Sequence, residues 1–209
     1  MNESQLTKKD YKYISIIGFL MGLLSLPVLS NIKLAFLEVN LVNSVVIVAG
    51  LTIFANIALW FSALVSHWIK IFLQIAKFCA TGGLNTLLNL GVLNALIALT
   101  GYAAGVWYAV FYAIAFITAN INSYIWNRYW TFGAKDTANA KEFGEFFVVS
   151  LVGLGLSVAT AAFVVNVIGA PAGISLERWA NVGALSATAI SLVWNFVGYK
   201  FIVFKSKNV

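Results

Sequence analysis

Three cations stand where long apolar runs meet polar chain: Lys77, Arg128 and Lys200. An ammonium or guanidinium at the edge of hydrocarbon can hold a phosphate or phosphodiester, and the arginine fork grips two phosphate oxygens at once. Topology alone places cations there too, because any Lys or Arg at the level of the inner leaflet lies near lipid phosphates. Within the apolar runs the polar chemistry is different, consisting of amides and hydroxyls at helical spacing. Thr81, Asn85 and Asn89 recur every fourth residue, beside Gly82 and Gly83. Asn120, Ser123, Asn127 and Thr131 share one helical face, as do Ser150, Gly153, Ser157 and Thr160, and then Thr188, Ser191, Asn195 and Gly198. Stripes of this kind allow close helix packing and hydrogen bonds between helices. The asparagines Asn85, Asn89, Asn122, Asn127 and Asn195, with the indole of Trp130, also have the donors and acceptors to line a path for a hydroxyl-rich ligand.

The missing residues restrict the function further. The apolar runs carry no Asp or Glu at mid-depth, whereas proton-coupled exporters rely on a buried carboxylate. A small-solute exporter therefore ranks last among the candidate functions. His67 is the one histidine and Cys79 the one cysteine, which argues against a protein-bound metal and rules out an internal disulfide. The chain has no glycine-rich phosphate loop and no nucleophile elbow. Its longest polar stretch, residues 133–145, is too short for a catalytic domain and reads as a flexible loop. The expectation is a protein that is not an enzyme and uses no cofactor.

The elements that must position these residues follow from composition. The chain has 209 residues, of which 61% are hydrophobic and 10% charged, with a mean hydropathy of +0.91. Soluble domains carry about 25% charge, so this chain cannot cover a water-facing surface. In hydrocarbon every backbone polar group must be satisfied internally, which restricts spans to helices or a closed barrel. The runs here are continuous rather than alternating and about 20 residues long, which is the signature of helices. The expected fold is all-α: a polytopic membrane bundle of six transmembrane helices near residues 14–29, 41–65, 78–99, 106–126, 146–168 and 182–203. Residues 1–69 form a two-span extension and residues 70–209 a four-span domain.

The net charge of +6 would raise nucleic acid as a partner in a soluble protein. Here the charges fall between spans and set orientation instead. With both ends in the cytoplasm, all of the 13 basic residues except Lys33 and Arg178 lie inside. This places the chain in an inner membrane. Trp68, Trp126 and Trp130 then fall at the inner interface, and Trp107 and Trp179 at the outer one. A second reading of the N-terminus treats its lysines and short apolar run as a signal peptide cut near residues 28–30, leaving five spans. The apolar run that follows directly favours retention of the first span.

The ends of spans 4 and 6 resemble each other. Trp126-Asn127-Arg128-Tyr129-Trp130-Thr131-Phe132 and Gly198-Tyr199-Lys200-Phe201-Ile202-Val203-Phe204 align at a shift of 72 residues as cation, aromatic, any residue, β-branched residue, Phe. Spans 3–4 and 5–6 therefore read as two hairpin repeats in parallel orientation, an arrangement in which sites tend to lie between the copies. The segment Lys77-Phe78, then Gly82-Gly83-Leu84-Asn85-Thr86, then Asn122 through Phe132, resembles the GtrA-like family, and Asn195 to Phe204 resembles its second signature. The resemblance covers about residues 70–207 and leaves the first two spans outside the usual four-helix unit. It implies a role in cell-surface polysaccharide synthesis, moving a polyprenyl-phosphate-linked sugar such as undecaprenyl-phosphate glucose from the inner to the outer leaflet. A membrane glycosyltransferase would be the partner, with a homo-oligomer as a further expectation. A non-transporting anchor for that glycosyltransferase is the second reading. In the first, Arg128, Lys200 and Lys77 take the phosphate, and Asn85, Asn89, Asn122, Asn127, Asn195 and Trp130 face the sugar.

Overall fold

The structure, a computed structural model, describes residues 6–32, 40–102, 105–174 and 176–205. Among them every regular element is helical. Six helices follow in order: α1 Lys8–Ile32, α2 Leu41–Val65, α3 Phe72–Thr100, α4 Gly105–Trp126, α5 Ala140–Ala162 and α6 Leu176–Gly198. Five of these, α1, α2, α3, α5 and α6, provide segments long and apolar enough to cross a membrane. The surface agrees with that reading. Phe54, Ile57 and Phe61 of α2 point outward, while Ser62, Thr81, Asn120, Asn127 and Arg128 are buried. Apolar side chains outside and polar ones inside are what a lipid solvent selects.

Four helices begin earlier than their apolar runs. α1 starts at Lys8, α3 at Phe72, α5 at Ala140 and α6 at Leu176, each six residues before the expected span. At α5 the cause is a cap: the Asn139 side chain accepts the Glu142 backbone N–H at 2.9 Å. This satisfies a donor that the first helical turn leaves orphaned. The helix therefore takes up half of the stretch that polarity alone marks as loop.

Three helices finish in a wider, π-helical turn, at Asn127–Thr131 after α4, Phe163–Ile168 after α5 and Tyr199–Val203 after α6. The first and third are the two repeat ends. In each, the closing Phe donates its backbone N–H five residues back, Phe132 to Asn127 O and Phe204 to Tyr199 O, both at 2.8 Å. The sequence repeat is thus also a repeat of an uncommon backbone form, one that recurs at functional sites.

The chain divides into two compact units, Met1–Gly133 and Ala134–Val209. The packing boundary therefore falls between α4 and α5, and α1 and α2 belong with α3 and α4. In the first unit, α1 and α2 run antiparallel at very short range. A Cβ on Gly18 would come 2.8 Å from Thr52 Cα, and one on Gly22 2.6 Å from Val48 Cα. Two glycines four residues apart let the backbones touch. Near this seam Ser15 and Asn56 bond side chain to side chain at 3.0 Å. Ile14 and Ile17 of α1 join Leu59, Leu73, Leu84 and Trp130 in one apolar core. A chain cut near residues 28–30 would lose two of these core side chains, Ile14 and Ile17. In the second unit, α5 and α6 are antiparallel. Phe146 stacks on Tyr199 at 4.2 Å between ring centroids, and Ser150 Oγ bonds the Tyr199 hydroxyl at 2.7 Å. Gly198 leaves room for Val149, whose Cγ1 a Cβ would meet at 2.5 Å.

Candidate headgroup site

The first turn of α1 is built by a reciprocal cap. Thr7 donates its backbone N–H and its hydroxyl to Asp10 Oδ2, at 2.9 and 2.7 Å, and the Asp10 backbone N–H returns a bond to Thr7 Oγ1 at 3.2 Å. This is the capping-box pattern with Asp as the acid. The cap fixes the carboxylate and leaves Oδ1 directed at α3 and the turn after α4. There it forms an ion pair with Lys77 and accepts the Trp130 indole N–H at 2.9 Å. The Lys77 ammonium also lies 5.6 Å from the Trp130 ring centroid, within cation–π range. Tyr13 of α1 closes the group edge-on, with ring centroids 5.4 Å from Trp126 and 6.3 Å from Trp130. Trp130 is 5% exposed. The interfacial aromatic belt expected for Trp126 and Trp130 is therefore an internal cluster around α1, whereas Trp68 is 82% exposed.

The other candidate residues separate into distinct environments. Asn122 donates its amide to Asn85 Oδ1 at 2.6 Å, so these two pair with each other across α3 and α4. Asn127 donates to Ser123 O at 2.9 Å and Ser123 Oγ at 3.1 Å. Its Oδ1 is buried without a hydrogen-bond partner, as are Thr81 Oγ1 and Thr131 Oγ1. Gln74 of α3 donates to Thr131 O at 3.3 Å. This contact and the Asn85–Asn122 pair fix an antiparallel register in which Thr81 falls near the Asn127 step. Asn89 is half-buried on α3.

Arg128 is 1% exposed, the largest of the fully buried side chains, with its guanidinium 5.1 Å from the Tyr129 ring centroid. It stands two residues before Trp130, hence on a different side of the π-helical turn from the Lys77 group. In the second unit Lys200 lies 5.8 Å from both the Phe196 and Phe201 ring centroids. There Asn195 donates weakly to Ser191 Oγ at 3.4 Å, with its Oδ1 buried, unpartnered and pressed against Gly153. Of the three candidate cations, Lys77 is thus half-buried in an ion pair, Arg128 sits within the first unit, and Lys200 belongs to the second.

An apolar groove of about 320 Å³ runs between α1, α2 and α3. Its lining includes Ile14 and Ala80, one helical turn along their helices from Asp10 and Lys77, with Ile17, Met21 and Phe54. Sequence reasoning gave no role to Asp10, nor to the groove. The Thr7-x-x-Asp10 spacing was the available signal for the cap, but it does not name the partner of the free carboxylate oxygen.

Helices of this length, their lipid-facing apolar surface and their polar interior define a multi-pass membrane protein. Residues 77–204 match the model of the GtrA/DPMS transmembrane domain, and the chain belongs to that family. It is 31% identical over 130 residues to the uncharacterized membrane protein YngA of Bacillus subtilis (strain 168), across 62% of this chain and 78% of that one. No solved structure matches. The matched segment begins at Lys77, so α1 and α2 lie outside it.

Proposed function

We propose that the chain carries a polyprenyl-phosphate-linked sugar, of the undecaprenyl-phosphate glucose type, from the cytoplasmic to the outer leaflet of the inner membrane for use in cell-surface polysaccharide. The observation that supports this reading is the set of acceptor oxygens on α3 and its facing turn. Thr81, Asn127 and Thr131 each bury one without a donor, on and opposite the turn that carries Arg128. Leaving a buried acceptor unbonded costs about 1–3 kcal/mol, and sugar hydroxyls are donors of the right kind. Lys77 supplies charge for the phosphate, which cannot enter hydrocarbon without compensation, and Arg128, on another side of the turn, adds to the positive field beside the acceptors. The prenyl tail stays in lipid. No bond is made or broken, so the protein acts as a carrier rather than an enzyme. A membrane glycosyltransferase loads the lipid on the cytoplasmic side, and consumption outside draws it across.

The test is leaflet translocation in proteoliposomes. Purified protein is reconstituted with a polyprenyl-phosphate glucose, and an impermeant reagent reads the outer-leaflet fraction over time. The reading requires faster exposure with protein than without, and slower exposure with Arg128→Ala or Lys77→Gln. Folded protein that gives no acceleration would favour a non-transporting glycosyltransferase anchor instead.

A further inference from the structure

Lys77 and Trp130 lie inside the family segment 77–204, and Asp10 lies outside it. Two donors from the family segment, an ammonium and an indole N–H, converge on a single carboxylate oxygen supplied by the extension. Phosphate oxyanions take the same donors, with the same charge-assisted hydrogen bonds. The carboxylate is presented by a capping box, which ties its position to the first turn of α1. The side chains of Asp10 and Lys77 are 8% and 15% exposed, so the pair is mostly withdrawn from water yet still reachable. One turn away lies the apolar groove of about 320 Å³, walled by all three of α1, α2 and α3.

We propose that Lys77 and Trp130 are the anion-binding end of a site for a single-chain isoprenoid phosphate. The groove between α1, α2 and α3 takes the first part of the chain, and Asp10 is a tethered anion that the phosphate displaces. The ligand class rests on the functional reading above. The extension then has two roles, completing the tail groove and setting the threshold for headgroup entry. While Asp10 occupies the donors, only the undocked fraction of molecules binds, and apparent affinity falls by that fraction. Removing the carboxylate charge also leaves Lys77 without its counter-ion in a mostly buried setting, which strengthens its demand for another anion. Exposed Lys8, Lys9 and Lys12 on the same first turns of α1 add attraction for an anionic headgroup.

The full-length protein in detergent is titrated with farnesyl phosphate, and in parallel with two-chain phosphatidic acid. Asp10→Asn keeps the size of the side chain and loses its charge. It is expected to bind farnesyl phosphate about tenfold more tightly than the wild type. Lys77→Gln is expected to abolish this binding in both the wild-type and the Asp10→Asn background. Farnesyl phosphate binding that is unchanged or weaker in folded Asp10→Asn, or that survives Lys77→Gln, overturns the proposal. Equal gains for phosphatidic acid overturn the single-chain assignment. Should Asp10→Asn fail to fold, Thr7→Ala loosens the cap while keeping the charge. It is expected to raise affinity in the same direction by less, and no rise overturns the proposal. Leaflet movement is read separately in proteoliposomes. Tighter binding in Asp10→Asn without movement keeps this site and removes the transport reading. Movement with binding indifferent to Asp10 keeps transport and removes this site.

Discussion

The Trp130 indole N–H donates to Asp10 Oδ1 at 2.9 Å across 120 residues of sequence. The bond ties the first turn of α1 to the π-helical turn that ends α4, and Lys77 joins both through the same oxygen. Trp130→Phe keeps most of the ring and removes this one donor. Hydrogen bonds to charged groups contribute about 1.5–3 kcal/mol, so Trp130→Phe should lower stability by about that amount. Thermal unfolding of the detergent-solubilised protein measures it. A loss as small as that of an exposed Trp68→Phe control would show the bond to be dispensable.

The α1–α2 seam depends on backbone approach at Gly22. Gly22→Leu forces a side chain against Val48, whereas Gly50→Leu on the same hairpin enters open space. Overpacking costs about 1–3 kcal/mol when neighbours can shift, and here the nearest atom is backbone, so at least the upper end is expected. Gly50→Leu should be close to neutral. Equal melting temperatures for the two variants would mean that the seam is not held this tightly.

Asn85 and Asn122 bond each other at 2.6 Å between α3 and α4. Interhelical hydrogen bonds in membrane proteins couple by about 0.6 kcal/mol on average and up to about 1.7. A double-mutant cycle with Asn85→Ala and Asn122→Ala should give a coupling in that range. Strict additivity would indicate that the two amides act independently, for instance toward a ligand.

In the second unit the Tyr199 hydroxyl meets Ser150 Oγ at 2.7 Å, with both groups buried. Tyr199→Phe keeps the stacking on Phe146 and deletes the bond. Ser150 retains a bond to Phe146 O at 2.9 Å, so its hydroxyl is not stranded. The expected loss is therefore modest, about 1 kcal/mol, read from the unfolding of full-length protein. A larger loss would mean that the hydroxyl anchors more than Ser150.

The wider turns at the two repeat ends link sequence to backbone. Their shared motif of cation, aromatic, any residue, β-branched residue and Phe is visible in the sequence, but its backbone form is not. Hydrophobic periodicity distinguishes helix from strand and is nearly blind to one extra residue in a single turn. Arg128 and Trp130 stand two residues apart and leave the turn on different sides in either backbone form, which divides the expected cation cluster.

Composition and periodicity by themselves determined that the chain is helical, that its helices lie in lipid and where most of them fall, while the motifs at Asn122–Phe132 and Asn195–Phe204 carried the resemblance to its family. Those properties come from sums over many residues, and sums tolerate local error. The pairings were decided only in the tertiary structure. Lys77 reads in sequence as an open phosphate ligand because its counter-ion stands 67 positions earlier, on another helix. Asp10 reads as one more solvated charge among lysines. Asn85 and Asn122 read as two lining residues, and the structure makes them one hydrogen bond. Helical spacing says which residues share a face, but the partner of that face depends on how the helices pack. Close packing at Gly18 and Gly22 in turn fixes where α1 delivers its carboxylate.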